Sequence, residues 1–439
     1  MGNQSAKSDK SSPLNTEETQ FVDNSFKGLT SNHDKLKSDI ISTAWSNLVD
    51  PEYLAYTKES LFGKTEAITN KPYVEHYYVV VKGSLYEKSS YINTRIFGNP
   101  LGVEGGITPD SLLKFVSSVV RSYFIMLDHN KTPQYKSWLD RNVVANRKDI
   151  DNYSQYLLKD LMNVQPVSLD ELENWLHFNP LWLEMWKAVV VFIYSQKSST
   201  RIPSTAECHP KTLPFCELPP NCNQLKSIMD VGKIMFLSDQ LPTEFRTKWR
   251  LLFNSQLHGE SFATFLGKII NKGPTVLIIE DEQRHIFGGF APHSWNLHPK
   301  FVGNDTALLF TLQPTMQSFI PSGYNDHYQY LNTSQQTMPN GLGMGGQFEY
   351  WGLWLDCEYG LGQSSETCTT FKNYKQLSAN KAFNVRNIEV WAVGEEPEKE
   401  DGDGPQRSIL DKNLEDKVIL DLAGRQMHSE GLRDPDLED

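Results

Sequence analysis

The sequence predicts an α+β protein, with an all-α first half, an antiparallel, strand-rich second half and a last helix. Three observations carry this. Apolar residues recur at three- and four-residue spacing as far as about residue 200, and short β-rich runs joined by Gly- and Asn-rich connections follow from residue 275. The chain has 439 residues, 39% hydrophobic and 11% aromatic, enough for two or three domains with substantial cores.

Residues 1–13 are polar, and a helix is expected from Asn15, with Glu17 and Glu18 in a first turn where the helix dipole favours acids. Leu36, Ile40, Ile41, Ala44 and Leu48 form one apolar stripe; Leu112, Val116, Val119, Tyr123 and Leu127 form another, opened by Thr108-Pro109-Asp110 as cap and first-position proline. Ser168 and Glu171 have capping-box spacing ahead of Leu172, Trp175 and Leu176. The run Pro180 to Tyr194 carries Glu184 and Lys187 and falls short of the ~20 residues of a membrane span. It is expected as a buried helix.

Ser- and Pro-rich sequence between Ser198 and Pro220 marks a domain boundary. Two amphipathic helices are expected next, one carrying Phe245, Trp249, Leu252 and Phe253, the other Phe262, Phe265, Leu266 and Ile269 up to Gly273. Thr275–Ile279 and His285–Phe290 should pair as a hairpin about Glu280-Asp281-Glu282-Gln283, and Ala307–Leu312, Phe348–Leu355 and Ile388–Val393 continue the strands. Glu395 to Gln406 cannot build a core. Ser408 then caps a final helix whose Leu410, Leu414, Val418, Ile419 and Leu422 form an apolar stripe. An isolated helix of this length is marginal in water, so the stripe must be buried, either back on the chain's own preceding domain or in a partner's groove, and Leu410, Leu414, Val418 and Leu422 are candidate partner-binding residues.

Net charge is −12, and residues 395–439 hold 15 Asp/Glu against 6 Lys/Arg, which leaves −3 for the body. With no basic stripe, nucleic-acid binding is not expected. Five cysteines, none in a Cys-x-x-Cys pair, fit neither a disulfide framework nor a redox motif. Cys208, His209, Cys216 and Cys222 lack common zinc spacing, and no metal or cofactor is expected.

Gly341-x-Gly343-x-x-Gly346 matches the dinucleotide expression, yet the aromatic strand that follows favours a glycine-rich turn between strands. His258-Gly259-Glu260-Ser261 lacks a nucleophile elbow and is expected as a turn with Ser261 capping a helix. Two stretches align with calcium loops when the hydrophobic eighth position is placed at Ile107 and Val167. The first offers Pro100 and Gly102 in place of carboxylates; the second has Asp160 and Glu171 at its ends but Met162 and Val164 between them. EF-hand-like helix pairs without metal are expected. Gly2 opens an N-myristoylation pattern whose sixth position, usually Ser or Thr, is Ala6. Gly2 is the candidate lipidation site.

Phe287-Gly288-Gly289-Phe290 with Trp295, then Phe310-Thr311-Leu312, Gly343-Met344-Gly345-Gly346, Gly352-Leu353-Trp354-Leu355-Asp356, Cys368-Thr369-Thr370-Phe371 and Ile388-Glu389-Val390-Trp391 run in the order of a known family. On these motifs the second half resembles the TLDc domain. Asn340 to Gln347, the tail His428 to Arg433, the helical half and the Gly2 start are similar to the family's mTOR-associated branch. The resemblance implies a β-sandwich with flanking helices behind an EF-hand-like helical domain, and no catalytic residues.

It also implies binding to the vacuolar-type proton ATPase, contact with mTOR complex components, and a place at the cytosolic face of the lysosomal membrane and in the cytoplasm. The expected organisation is a flexible lipidated segment 1–14, a helical domain 15–205, a linker 206–227, a TLDc domain 228–394, an acidic linker 395–407 and a C-terminal helix and tail 408–439. The competing expectation is an oxidative-stress factor acting through a thiol. Cys357 lies between Asp356 and Glu358, and Cys368 follows Glu366, so neighbouring acids disfavour a thiolate.

Overall fold

The computed structural model describes residues 14–100, 106–207, 212–219 and 226–396. Its chain divides into two compact units: 1–136 with 145–212, and 137–144 with 213–439.

Local cap chemistry sets where the helices of the first unit begin. Helix α1 (Thr16–Thr30) opens with a capping box between Asn15 and Glu18. Strand β1 (Leu36–Lys37) leads into α2 (Ser38–Trp45) and pairs with β2 (Ala67–Ile68), which follows α3 (Pro51–Phe62). Helix α4 (Asn70–Lys82) precedes α5 (Leu85–Tyr91), which opens with a Ser84–Glu87 capping box and runs into a π turn over Ile92–Ile96. Then come α6 (Pro109–His129), α7 (Pro133–Leu139), α8 (Arg147–Leu157), α9 (Leu169–Phe178) and α10 (Pro180–Ser195). Thr108 caps α6 ahead of Pro109, and Ser168 with Glu171 closes a capping box on α9, as their spacing predicts.

Helices α6 and α10 make the centre of this unit, where Phe115 meets Trp182 and Trp186 edge-on. Around them Arg121 on α6 reaches three acids. Its Nε donates to Asp50 Oδ2 at 2.8 Å, NH2 to Glu52 at 2.6 Å and NH1 to Asp151 at 2.7 Å, tying α6 to the start of α3 and to α8. The helical expectation for residues 30–200 holds, with the addition of β1, β2 and a two-bond bridge between Ile107 and Val167. Among the described residues no helix is long and apolar enough to cross a membrane.

The second unit is built on a twelve-stranded sheet. Strand β3 (Phe215–Glu217), helix α11 (Val231–Gln240), a 3-10 turn over Thr243–Arg246, β4 (Lys248–Asn254), α12 (Ser255–His258) and α13 (Phe262–Ile269) lead into it. Strands β5 (Thr275–Asp281), β6 (Ile286–Ala291), β7 (His298–Val302), β8 (Leu308–Gln313), β9 (Gln317–Phe319) and β10 (Gln329–Asn332) follow. The last four are β11 (Gly341–Gln347), β12 (Tyr350–Asp356), β13 (Leu361–Gln363) and β14 (Ala382–Val393).

The strand order is β7-β10-β11-β12-β13-β14-β5-β6-β8-β9, with β4 on the other side of β14 and β3 parallel to β4. β14 is long enough to join two halves. Leu277, Phe287 and Leu309 from one half and Leu342, Met344 and Leu353 from the other share one buried cluster, so the halves close on each other in layers. Trp138, far back in sequence, belongs to this unit: its ring lies 5.1 Å from Trp391 and 6.2 Å from Trp249, and its Nε1 donates to Pro214 O at 2.8 Å.

Three sequence expectations are corrected here. The helix expected through Phe245 and Phe253 is a 3-10 turn followed by β4, because Trp249, Leu251 and Phe253 alternate inward while the backbone pairs with β14. The glycine-rich turn at Gly341–Gly346 is strand β11, paired along its length with β12; the turn comes after it, at Phe348 and Glu349. The Glu280–Gln283 turn begins two residues later, since Glu280 and Asp281 are buried in β5, where Asp281 accepts from His285 N and Ala379 N. The segment 206–227 also contains a strand, β3, whose Cys216 is buried.

Candidate functional site

Gly2 and the stripe Leu410, Leu414, Val418 and Leu422 lie outside the described residues, as do Cys208, His209 and Cys222. What can be read directly is the sheet unit to which the C-terminal segment is attached. His258 ends α12, stacks on Phe253 and accepts from Asn254 N, while Ser261 caps α13, so this tetrapeptide is a turn between helices. Burial and the Asp356 carboxylate push the exposed Cys357 thiol up. Burial, rather than Glu366, does the same to Cys368. Neither thiol is poised as a nucleophile.

In the first unit Glu171 gives its carboxylate to Ser168 N and Oγ, and Ser111 engages the cap of α6 through Thr108, so the end positions of both calcium-loop alignments serve as helix caps. Among the described residues no three His, Cys, Asp or Glu side chains are placed to share a metal ion.

Two features of the sheet unit stand out. The first is a buried carboxylate. Glu389, at the centre of β14, accepts from Ile228 N (2.8 Å), Ser227 Oγ (2.9 Å), Asn254 Nδ2 (3.1 Å) and Trp391 Nε1 (3.2 Å). It thereby ties the segment before α11 to β4 and β14. All four donors are neutral, and burial raises its pKa to about 7. On the neighbouring strand Glu280 pairs through Oε1 with Arg284, while its Oε2 accepts from Asn387 Nδ2 and faces Arg386. Glu389 was missed in the sequence. Its signal there is a single acid in the otherwise apolar run Ile388 to Val393.

The second feature is an open groove of about 610 Å³ at the end of the sheet near the 3-10 turn. Leu241, Pro242, Ala307, Leu308, Ile320 and Pro321 supply its apolar lining, and Arg246, Asp305 and Lys372 its charged edge. Leu241, Ala307 and Leu308 are buried in the sheet unit, whereas Ile320 is 54% exposed. Arg246 fixes the turn by donating to Leu241 O and Asp239 O. A broad apolar channel with a mixed-charge edge is suited to an amphipathic peptide rather than to bond-making chemistry.

The TLDc domain model matches residues 222–394. The chain is 37% identical over 391 residues to chicken (Gallus gallus) MTOR-associated protein MEAK7, covering 85% of this chain and 81% of that one. It is 32% identical to the Xenopus laevis protein of the same name over 94% of this chain and 90% of that one. Similarity to human nuclear receptor coactivator 7, 34% identical, is confined to 33% of this chain and 14% of that protein.

Proposed function

The chain belongs to the TLDc-domain family, among the relatives called MTOR-associated proteins, and from that premise we propose that it is a non-enzymatic regulator acting in mTOR signalling at the cytosolic face of lysosomes. The observation that carries this reading is the extent of the similarity. It runs through the helical half as well as the TLDc domain in the MTOR-associated relatives, whereas the coactivator shares only a third of the chain.

Binding to the vacuolar-type proton ATPase is the partner the family resemblance supplies, and the C-terminal stripe Leu410, Leu414, Val418 and Leu422 is the element proposed to bind it. A myristoyl group on Gly2 would add membrane affinity. The thiol-based alternative draws no support from Cys357 or Cys368, whose surroundings hold both in the thiol form. Affinity capture of the full chain from lysosomal extract, with every retained subunit identified, tests the proposal. ATPase subunits and mTOR complex components are expected, and capture of neither contradicts it.

A further inference from the structure

We propose that the groove beside the 3-10 turn is the docking site of the chain's own C-terminal stripe, residues 410–422, when no partner holds it. The route of the chain supplies the first argument. Gly394, at φ +82°, leaves β14 against Phe245 of the 3-10 turn, so close that a Cβ there would come within 2.9 Å of that ring. Glu396 is then held by Arg250 at 3.0 Å. Leu241, Pro242 and Arg246, which border Phe245 in sequence, line the groove.

Distance permits the return. From β14 the sheet passes through β5 and β6 to β8, whose Leu308 lies in the groove. Three strand spacings are about 14 Å, and the chain between Glu396 and Leu410, about 13 residues, is enough to span on the order of 20 Å. Tethering at that reach gives effective concentrations in the millimolar range, so even a contact with Kd about 0.1 mM would be filled in most molecules.

Chemistry fits as well. Four apolar side chains on one helical face meet an apolar channel, and at 100° per residue Asp411 and Asp421 fall on that same face near its two ends. Lys372 and Arg246, the latter also paired with Asp239 at 3.9 Å, edge the channel together with one acid, Asp305. A docked stripe is withheld from other partners, so the groove and a partner compete for it.

Incorporation of a photo-reactive benzoylphenylalanine at the exposed Ile320 in the full chain tests this. Irradiation should attach position 320 to a peptide within 408–425 of the same molecule, and Leu414→Asp with Leu422→Asp should abolish the adduct. Adducts joining two copies, or adducts elsewhere only, overturn the proposal. Hydrogen exchange is the second readout: amides of 410–422 should exchange on the order of tenfold faster in Ile320→Asp than in the wild-type chain. Equal rates overturn it too. Neither readout involves the ATPase, so failure of the partner proposal leaves both unaffected.

Discussion

A buried acid among neutral donors makes Glu389 a source of pH-dependent stability. Its pKa rises from an ordinary 4.5 to about 7 in the folded chain, so between these values the unfolded state releases a proton that the folded state keeps. Stability from this site is full below about pH 4.5 and is lost as pH rises through 7. The shift corresponds to about 3 kcal/mol. Glu389→Gln keeps an oxygen for Ile228 N and Asn254 Nδ2, and the Ser227 hydroxyl can turn to accept from the new amide, while Trp391 Nε1 loses its acceptor, a cost that does not vary with pH. We expect urea titrations to show the wild type weakening from pH 5 to pH 8 and Glu389→Gln to weaken clearly less. Parallel slopes would remove Glu389 from the account. The charge was visible in Ile388-Glu389-Val390-Trp391, but its partners Ser227, Ile228 and Asn254 are more than 130 residues away and no local pattern announces them.

Among the elements, helix starts were legible because their signals are local. Thr108-Pro109 and Ser168-x-x-Glu171 cap their helices within one turn. Strand β4 was not: Phe245, Trp249, Leu252 and Phe253 fit a helical spacing, while the alternation that places Trp249, Leu251 and Phe253 inside becomes decisive only once β14 offers a paired edge. β11 was hidden by its glycines, and the reason for Gly343 lies on the next strand. A Cβ at Gly343 would approach Trp351 to 2.5 Å and Trp354 to 3.0 Å, and those two rings stack at 4.4 Å. Gly343→Ala should therefore cost about 1–3 kcal/mol in urea unfolding by overpacking; no loss would mean that the rings are free to move apart.

The helical unit has its own sensitive junction. Removing Arg121 leaves Asp50, itself buried, without its cation. Arg121→Met should cost about 3–5 kcal/mol, and Asp50→Asn in the same chain should recover part of it. A double variant no more stable than Arg121→Met would show that the hub acts through packing alone.

At the scale of the whole molecule, the order of a helical half before a sheet-rich TLDc domain was readable, since period and composition both change along the chain. What could not be read is the crossing-over of residues 137–144 into the second unit, because Trp138 sits in sequence among helices and its neighbours Trp249 and Trp391 come much later. The proposed function depends most on Gly2 and on the C-terminal stripe. A single myristoyl group gives an association constant of only about 10⁴ M⁻¹, so Gly2→Ala should reduce lysosomal recovery without abolishing it while protein contacts remain. Equal recovery of the two proteins by membrane flotation would remove the lipid from the account.

The ATPase proposal is tested most directly by capturing that complex from detergent-solubilised lysosomal membranes on the full-length chain and on its Leu414→Asp, Leu422→Asp variant, each checked for an intact melting transition. If the stripe is the binding element, two buried charges should lower ATPase recovery by about tenfold or more. Recovery equal to that of the wild type, or no ATPase on either protein, would contradict the account.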